Sequence, residues 1–155
     1  MDNTTDTGPI LVGVDGSSSS IAALRYAARV AAAFHRPIQA VTTWDLPVYA
    51  EAATVVGWSP EQWAEELLDR AIDEAFGAAV PQGVTKTIRP GPPARSLIEM
   101  SWHATMLVLG SRGHGGFAGL LLGSVSMACA EHAHCPVLIV HGTAGEDSAA
   151  HEEKP

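Results

Sequence analysis

Five short runs with the composition or alternation of strands, separated by segments with helical periodicity, constrain the fold of this chain most strongly. Each run has five or six residues, the usual length of a strand and too short for a helix. The runs are residues 9–14, 38–43, 84–88, 105–109 and 136–141. Helices are predicted between them, ending near residues 34, 79, 103 and 132. Alternating strands and helices of this kind predict an open five-stranded parallel sheet with helices on both faces, a Rossmann-like α/β fold.

Serine and proline residues mark the starts of the predicted helices. Ser59 is predicted as an N-cap, with Pro60 in the first helical position and Gln62 completing a capping box. The serine run at 17–20 offers caps for the first helix, and Ser124 is predicted to cap the last. Residues 44–58 lack periodicity and are interpreted as a long surface loop, whose flanking tryptophans could shield a ligand.

Composition and charge exclude several classes of protein. The chain has 155 residues, of which 46% are hydrophobic and 17% charged, so we expect one globular domain at 9–142 with flexible termini at 1–8 and 143–155. The net charge is −8, and the nine lysines and arginines are scattered. Without a basic stripe, neither a nucleic acid nor an anionic membrane surface is an expected partner.

The compartment predicted from the sequence is the cytoplasm. No run of about 18 apolar residues occurs, and the first residues lack the positive and apolar regions of a signal peptide. Cys129 and Cys135 do not form a CxxC motif and are expected to be reduced thiols. A zinc site made with His132 and His134 is disfavoured because the spacing differs from the common zinc classes.

A glycine-rich segment follows the fourth apolar run. It extends from Gly110 to Gly116 and leads through a short apolar segment to Gly123-Ser124, where a helix can start. Glycines let the backbone approach a ligand closely, and a helix N-terminus offers unpaired N–H groups, so the segment suits a phosphate. The first run ends in a second polar cluster, Gly13-Val14-Asp15. If the two strands are neighbours at the point where strand order reverses, one site uses both clusters.

These residues resemble the universal stress protein family. Its nucleotide-binding members carry Gly-x2-Gly-x9-Gly-Ser/Thr, which is matched here by Gly110, Gly113, Gly123 and Ser124. The Gly-Val-Asp-Gly-Ser ending of the first strand and the closing Cys-Pro-Val-Leu-Ile-Val are also similar to the family, and the resemblance covers residues 9–141. It implies the strand order 3-2-1-4-5, ATP bound at the switch point, a regulatory role in stress responses, and a homodimer.

The resemblance also implies which residues bind the nucleotide. The segment at 13–15 would line the adenosine, 41–43 would contact the adenine, 110–116 would wrap the phosphates and ribose, and 123–125 would hold phosphate. The implied residues are Gly13, Val14, Asp15, Val41, Thr42, Thr43, Gly110, Ser111, Arg112, Gly113, His114, Gly115, Gly116, Gly123, Ser124 and Val125. A carboxylate near a triphosphate, here Asp15, also invites a bridging Mg²⁺.

Simpler interpretations of these residues remain open from the sequence alone. The glycine segment could be a plain strand-to-helix connection, Asp15 a turn or cap residue, and Arg112 and His114 solvated side chains. No Walker lysine follows the glycines, and the acidic residue of a dinucleotide motif is missing. Neither a nucleophile elbow nor a pair of catalytic carboxylates is present, so no catalytic residue is predicted. A slow ATPase or nucleotidyl transferase and a nucleotide-free dimer are the alternative functions.

Overall fold

Strands and helices alternate strictly along the chain. The computed structural model describes residues 7–45, 57, 59–113 and 121–142. In chain order its elements are β1 (Ile10–Gly13), α1 (Ser18–Phe34), β2 (Ile38–Trp44), α2 (Pro60–Phe76), β3 (Val84–Pro90), α3 (Pro93–Ser101), β4 (Met106–Gly110), α4 (Ser124–His132) and β5 (Val137–Val140).

The strands form one parallel sheet in the order β3-β2-β1-β4-β5. Ile10 of β1 pairs with Ile38 of β2 on one side and with Met106 of β4 on the other. The fold class and strand order predicted from the sequence and its family resemblance are therefore confirmed. Because strand order reverses between β1 and β4, the carboxyl ends of these two strands form the switch point of the sheet.

Each face of the sheet is covered by a pair of helices. Ile10 and Val12 of β1 pack into a core with α1 and α2, whereas Leu11 packs into a second core with α3 and α4. These three side chains have no exposed surface, as expected for a central parallel strand buried on both faces. Among the residues that the structure describes, no helix is long and apolar enough to cross a membrane.

The helix starts confirm two of the predicted caps. Ser17 Oγ accepts a hydrogen bond from the Ser20 N–H at 3.3 Å. Ser59 Oγ accepts one from the Gln62 N–H, also at 3.3 Å, and Pro60 begins α2 as predicted. Both hydroxyls thus satisfy backbone donors that have no partner inside the helix. They fix where α1 and α2 begin at the carboxyl edge of the sheet.

Other predicted boundaries are corrected by the structure. The helix α2 ends at Phe76 rather than near residue 79, because Gly77 follows with a φ of 57°. Ser124 is the first residue of α4 and not its cap: Gly123 takes the N-cap position, without a side-chain hydrogen bond. β3 extends to Pro90 because it stays paired with β2 as far as Trp44. Of the predicted loop at 44–58, residues 46–56 and 58 lie outside the described residues.

Candidate functional site

A cavity of about 450 Å³ lies at the switch point, where the carboxyl ends of β1 and β4 meet the N-termini of α1 and α4. It extends past the end of β2 to the beginnings of α2 and α3. Twelve predicted nucleotide-binding residues line it: Gly13, Val14, Asp15, Val41, Thr42, Thr43, Gly110, Arg112, Gly113, Gly123, Ser124 and Val125. The structure therefore brings the two polar clusters of the sequence together around one space.

Of the four remaining predicted residues, one does not line the cavity and three lie outside the described residues. Ser111 is buried and does not line the cavity. Its N–H donates to the Val140 carbonyl at 2.9 Å and its own carbonyl accepts from the Gly123 N–H at 2.8 Å. Ser111 thus supports the site from behind by joining β4 to β5 and to the start of α4. His114, Gly115 and Gly116 lie outside the described residues.

Asp15 and Gly113 bring the two halves of the site into contact. A Cβ atom added to Gly113 would overlap Asp15 Oδ2, so a glycine is needed for the observed approach. Asp15 Oδ1 accepts a hydrogen bond from the Ser17 N–H at 2.9 Å. This is the turn interaction that the sequence left open, and it leaves the carboxyl group at the cavity wall. Asp15 therefore both shapes the turn into α1 and faces the ligand space.

Serines of α1 and α4 anchor the glycine segment. The Ser19 hydroxyl donates to the Arg112 carbonyl, and the Ser17 hydroxyl approaches the same oxygen at 3.3 Å. On the other side, the Ser126 hydroxyl donates to the Gly110 carbonyl at 2.7 Å. The sequence favoured helix capping for the serine run and did not point to Ser126. Hydroxyls on two helices thus fix the backbone that leads into the cavity.

The ends of β1 and β2 are joined by their own hydrogen bonds. The Val14 N–H donates to the Val41 carbonyl, and the Thr42 hydroxyl donates to the Val14 carbonyl at 2.9 Å. Thr42 is buried, so this bond is shielded from water. The predicted adenine segment at 41–43 and the predicted adenosine segment at 13–15 are therefore held side by side at the cavity wall.

The charged side chains at the cavity wall, within the part of the chain that the structure describes, are Asp15, Asp45 and Arg112. Two carboxylates and one guanidinium leave a small negative balance, which opposes the binding of an anionic ligand. The N-terminus of α4 at Ser124 adds oriented N–H groups and the positive end of a helix dipole. The site can therefore bind a phosphate through backbone groups and Arg112, and a cation would relieve the remaining charge.

Apolar side chains form a further part of the cavity wall, which we call its apolar end. Trp63 and Leu67 come from α2, Pro93 and Leu97 from α3, and Leu109 from β4. None of these residues was predicted, because the family motifs lie on other elements. The available signal was weak: Trp63 and Leu67 stand four residues apart, which places them on one side of α2.

The cysteines lie in the core on the α3 and α4 side of the sheet. Burial, together with the neighbouring Cys135 thiol, raises the pKa of Cys129 to about 11, and burial also raises the pKa of Cys135. Both thiols are free and are poor nucleophiles at neutral pH because they stay protonated. In the described segments no group of three His, Cys, Asp or Glu side chains is arranged to hold a metal ion.

Relatives of this chain share its sequence over nearly its whole length. A universal stress protein of Mycolicibacterium smegmatis is 37% identical over 154 residues, which are 94% of this chain and 51% of the relative. A universal stress protein of Mycobacterium tuberculosis is 35% identical over 143 residues, covering 85% of this chain and 47% of the relative. The chain thus spans about half the length of the curated relatives it matches.

Solved structures agree with the fold. A universal stress protein of Lactobacillus plantarum superposes with a TM-score of 0.72 at 19% identity, covering 86% of this chain and 97% of that one, and so shows the fold alone. A universal stress protein crystallised in complex with cAMP is 31% identical, with a TM-score of 0.64, over 88% of this chain and 98% of that one. The profile of the universal stress protein family matches residues 7–141. The chain therefore belongs to the universal stress protein family.

Proposed function

We propose that this chain binds ATP in the switch-point cavity and acts as a nucleotide-dependent regulator rather than as a catalyst. The observation that carries the proposal is that twelve of the residues expected to bind the nucleotide line one cavity of about 450 Å³. This volume falls within the range of roughly 300–1,000 Å³ typical of small-molecule sites. The cavity is lined by polar groups of the glycine segment and the α4 N-terminus, here called its polar end, and by apolar side chains of α2 and α3, which fits a ligand with phosphates and a base.

The residues at the polar end fit a phosphate chain. Gly110 and Gly113 let the glycine segment lie directly against Ser19 and Asp15 at the cavity wall. Ser124 presents a hydroxyl and the N–H groups of the first turn of α4. Arg112 would supply one positive charge. Since Asp15 and Asp45 line the same cavity, a Mg²⁺ ion carried by the triphosphate would lower their repulsion with the phosphates.

Cyclic AMP is the second candidate ligand. A relative that is 31% identical, and of which this chain covers 98%, was crystallised with cAMP. A single phosphate carries less negative charge than a triphosphate, so Arg112 and the α4 N-terminus would balance it without a metal ion. Requirement for Mg²⁺ therefore distinguishes the two ligands: ATP binding should depend on it, and cAMP binding should not.

A slow ATPase or nucleotidyl transferase on the same fold is the enzyme alternative. Hydrolysis needs a group that activates water beside the phosphates. Within the described residues the carboxylates at the cavity wall are Asp45 and Asp15, and Asp15 accepts a hydrogen bond from the Ser17 N–H through one of its two oxygens. The third alternative, a nucleotide-free dimer, is disfavoured by the glycine motif at 110–124.

The proposal also includes a compartment and an oligomeric state. The free cysteines fit a reducing compartment such as the cytoplasm, and we propose that two copies form a homodimer through β5.

The test is to purify the protein under native conditions, denature it, and identify any released nucleotide by mass spectrometry. Calorimetry then compares ATP with Mg²⁺, ATP with a chelator, and cAMP. We expect ATP to bind with Mg²⁺ and to remain unhydrolysed over hours. Absence of both released nucleotide and added-nucleotide binding would refute the proposal, whereas steady phosphate release lost in Asp15→Ala would establish the enzyme alternative.

A further inference from the structure

Trp63 has an unusual position on α2. The core-facing side of this helix is formed by small and aliphatic residues, namely Ala64, Leu68, Ala71 and Ile72, and all of them are buried. Trp63 lies outside that set, has 49% of its surface exposed, and lines the switch-point cavity. A large aromatic side chain that contributes little to the core and forms part of a cavity wall is suited to contacting a ligand.

Leu67 extends the apolar surface of Trp63 towards the polar half of the site. It follows Trp63 by four residues on α2 and also lines the cavity. Its Cγ atom would lie 3.5 Å from a Cβ atom built on Gly16, which is ordinary van der Waals distance. Gly16 directly follows Asp15, so the apolar surface of α2 reaches the turn that ends β1.

A second apolar wall comes from the other face of the sheet. Leu97 of α3 lies beside the end of β1, since its Cδ1 atom would be 2.9 Å from a Cβ atom at Gly13. Pro93, at the beginning of α3, lines the same cavity. The apolar end of the cavity is therefore bounded by α2 on one side and by α3 on the other, with the ends of β1 and β2 between them. A flat, apolar-faced group fits such a space.

We propose that Trp63 is a specificity-determining residue that stacks against the purine base of the bound nucleotide. This inference rests on the proposed nucleotide-binding function and adds the element that recognises the base. Base–aromatic stacking contributes about 1–3 kcal/mol per base when measured by alanine substitution, and a purine offers a larger surface for it than a pyrimidine. The same cavity holds phosphate through the glycine segment, so Trp63 governs which base is accepted and not how the phosphates bind.

The experiment compares Trp63→Ala, Trp63→Leu and Trp63→Phe by calorimetry with three probes: ATP, UTP and inorganic tripolyphosphate, all with Mg²⁺. We expect Trp63→Ala to weaken ATP binding by roughly tenfold or more and to lose the preference for ATP over UTP. Trp63→Phe should keep the affinity for ATP and the preference for ATP over UTP, whereas Trp63→Leu should lose the preference. Tripolyphosphate should bind the unaltered protein and the three variants equally. Trp102→Ala is the matched control, since Trp102 is 57% exposed, stacks on His134 and does not line the cavity.

The two proposals fail in different ways. If the unaltered protein binds ATP and Trp63→Ala binds it equally well, the stacking role is wrong and the nucleotide site stands. If the unaltered protein binds no nucleotide, both proposals are wrong. Circular dichroism checks the fold of each variant, and should Trp63→Ala be unfolded, the difference between Trp63→Phe and Trp63→Leu decides. Quenching of tryptophan fluorescence by ATP should persist in Trp102→Ala and be reduced in Trp63→Phe.

Discussion

The raised pKa of the buried Cys129 thiol makes the stability of this protein depend on pH. Its side chain has no exposed surface, and burial and the Cys135 thiol raise its pKa from 9.0 to about 11. The folded protein therefore holds the thiol proton more tightly than the unfolded chain does. This contribution to stability is present in full below pH 9 and is lost as the pH rises towards 11. We expect the free energy of unfolding to fall by up to about 1.4 kcal/mol per pH unit in that window.

Urea unfolding at pH 8, 9 and 10 measures this effect, and Cys129→Ala is the control. The variant should be less stable at pH 8, because it loses buried volume, and its stability should depend less on pH. Lys86 also has a raised pKa, through its hydrogen bond to Asp69, and so loses its contribution only at still higher pH. Equal pH dependence in the two proteins would show that Cys129 is not responsible.

Single residues also show what the sequence could and could not predict. Asp15 was expected to act either in a turn or at a ligand, and the structure supports the turn with a hydrogen bond while placing the residue at the cavity wall. Trp63 was not predicted. Its place at the cavity depends on how α2 packs on the sheet, 48 positions along the chain from Asp15, and no local spacing encodes that relation.

At the scale of elements, the connection from β4 to α4 contains glycines with different roles. A Cβ atom at Gly110 would overlap the backbone of Ser19 in α1, and backbone atoms there cannot move without shifting the helix. A Cβ atom at Gly123 would lie at least 3.5 Å from its nearest neighbours, and the φ of −71° suits any residue. Gly110 is thus required for packing, whereas Gly123 is not.

Gly110→Ala should therefore lower the stability of the protein, whereas Gly123→Ala should affect ATP binding. We expect Gly110→Ala to lower the free energy of unfolding by about 1–3 kcal/mol through overpacking. Gly123→Ala should keep its stability within about 0.5 kcal/mol. It should weaken ATP binding by about tenfold, or about 1.4 kcal/mol, because the added methyl group would stand beside the Gly113 N–H in the cavity proposed to hold the phosphates. Urea unfolding and calorimetry on both variants measure the two effects. A Gly123→Ala protein that binds ATP normally would remove Gly123 from the site.

The ends of the elements were harder to predict than their presence. The start of α2 was predicted correctly because Ser59 and Pro60 act locally. Its end was misplaced, because the alanines after Gly77 favour a helix that the positive φ of Gly77 interrupts. Ser124 was misassigned as a cap because α4 begins one residue earlier than expected: Gly123 takes the N-cap position, where no side chain caps the helix.

At the scale of the whole molecule, alternating strands and helices predicted the parallel sheet, but only the family resemblance supplied the order of the strands. That order determines the site, since β1 and β4 must be neighbours for Asp15 to meet Gly113. The apolar end of the cavity could not be predicted from motifs, because α2 and α3 approach it from opposite faces of the sheet. Packing of the complete sheet brings these walls together.

The same strand order places β5 at an edge of the sheet. All four of its residues are apolar and only partly buried. The carbonyls of Pro136 and Val140 accept hydrogen bonds from Leu107 of β4 and from Ser111, which directly follows β4. Since backbone groups alternate sides along a strand, the N–H and carbonyl groups of Val137 and Ile139 point away from β4. Among the residues that the structure describes, no strand pairs with this edge of β5. Such an apolar edge favours pairing with a second strand, and a two-fold axis would pair β5 with β5 of another copy.

We therefore expect a homodimer of the 16.2 kDa chain that is disrupted by Ile139→Pro and retained by Ile139→Ala. Both substitutions remove the branched isoleucine side chain, but only proline removes the outward N–H that would pair across the edge. Sedimentation velocity at micromolar concentration gives the mass of each protein, and circular dichroism confirms that both variants are folded. If Ile139→Pro sediments as a dimer, then the two copies associate through another surface, because an edge that has lost its central donor cannot form the symmetric β5 pair.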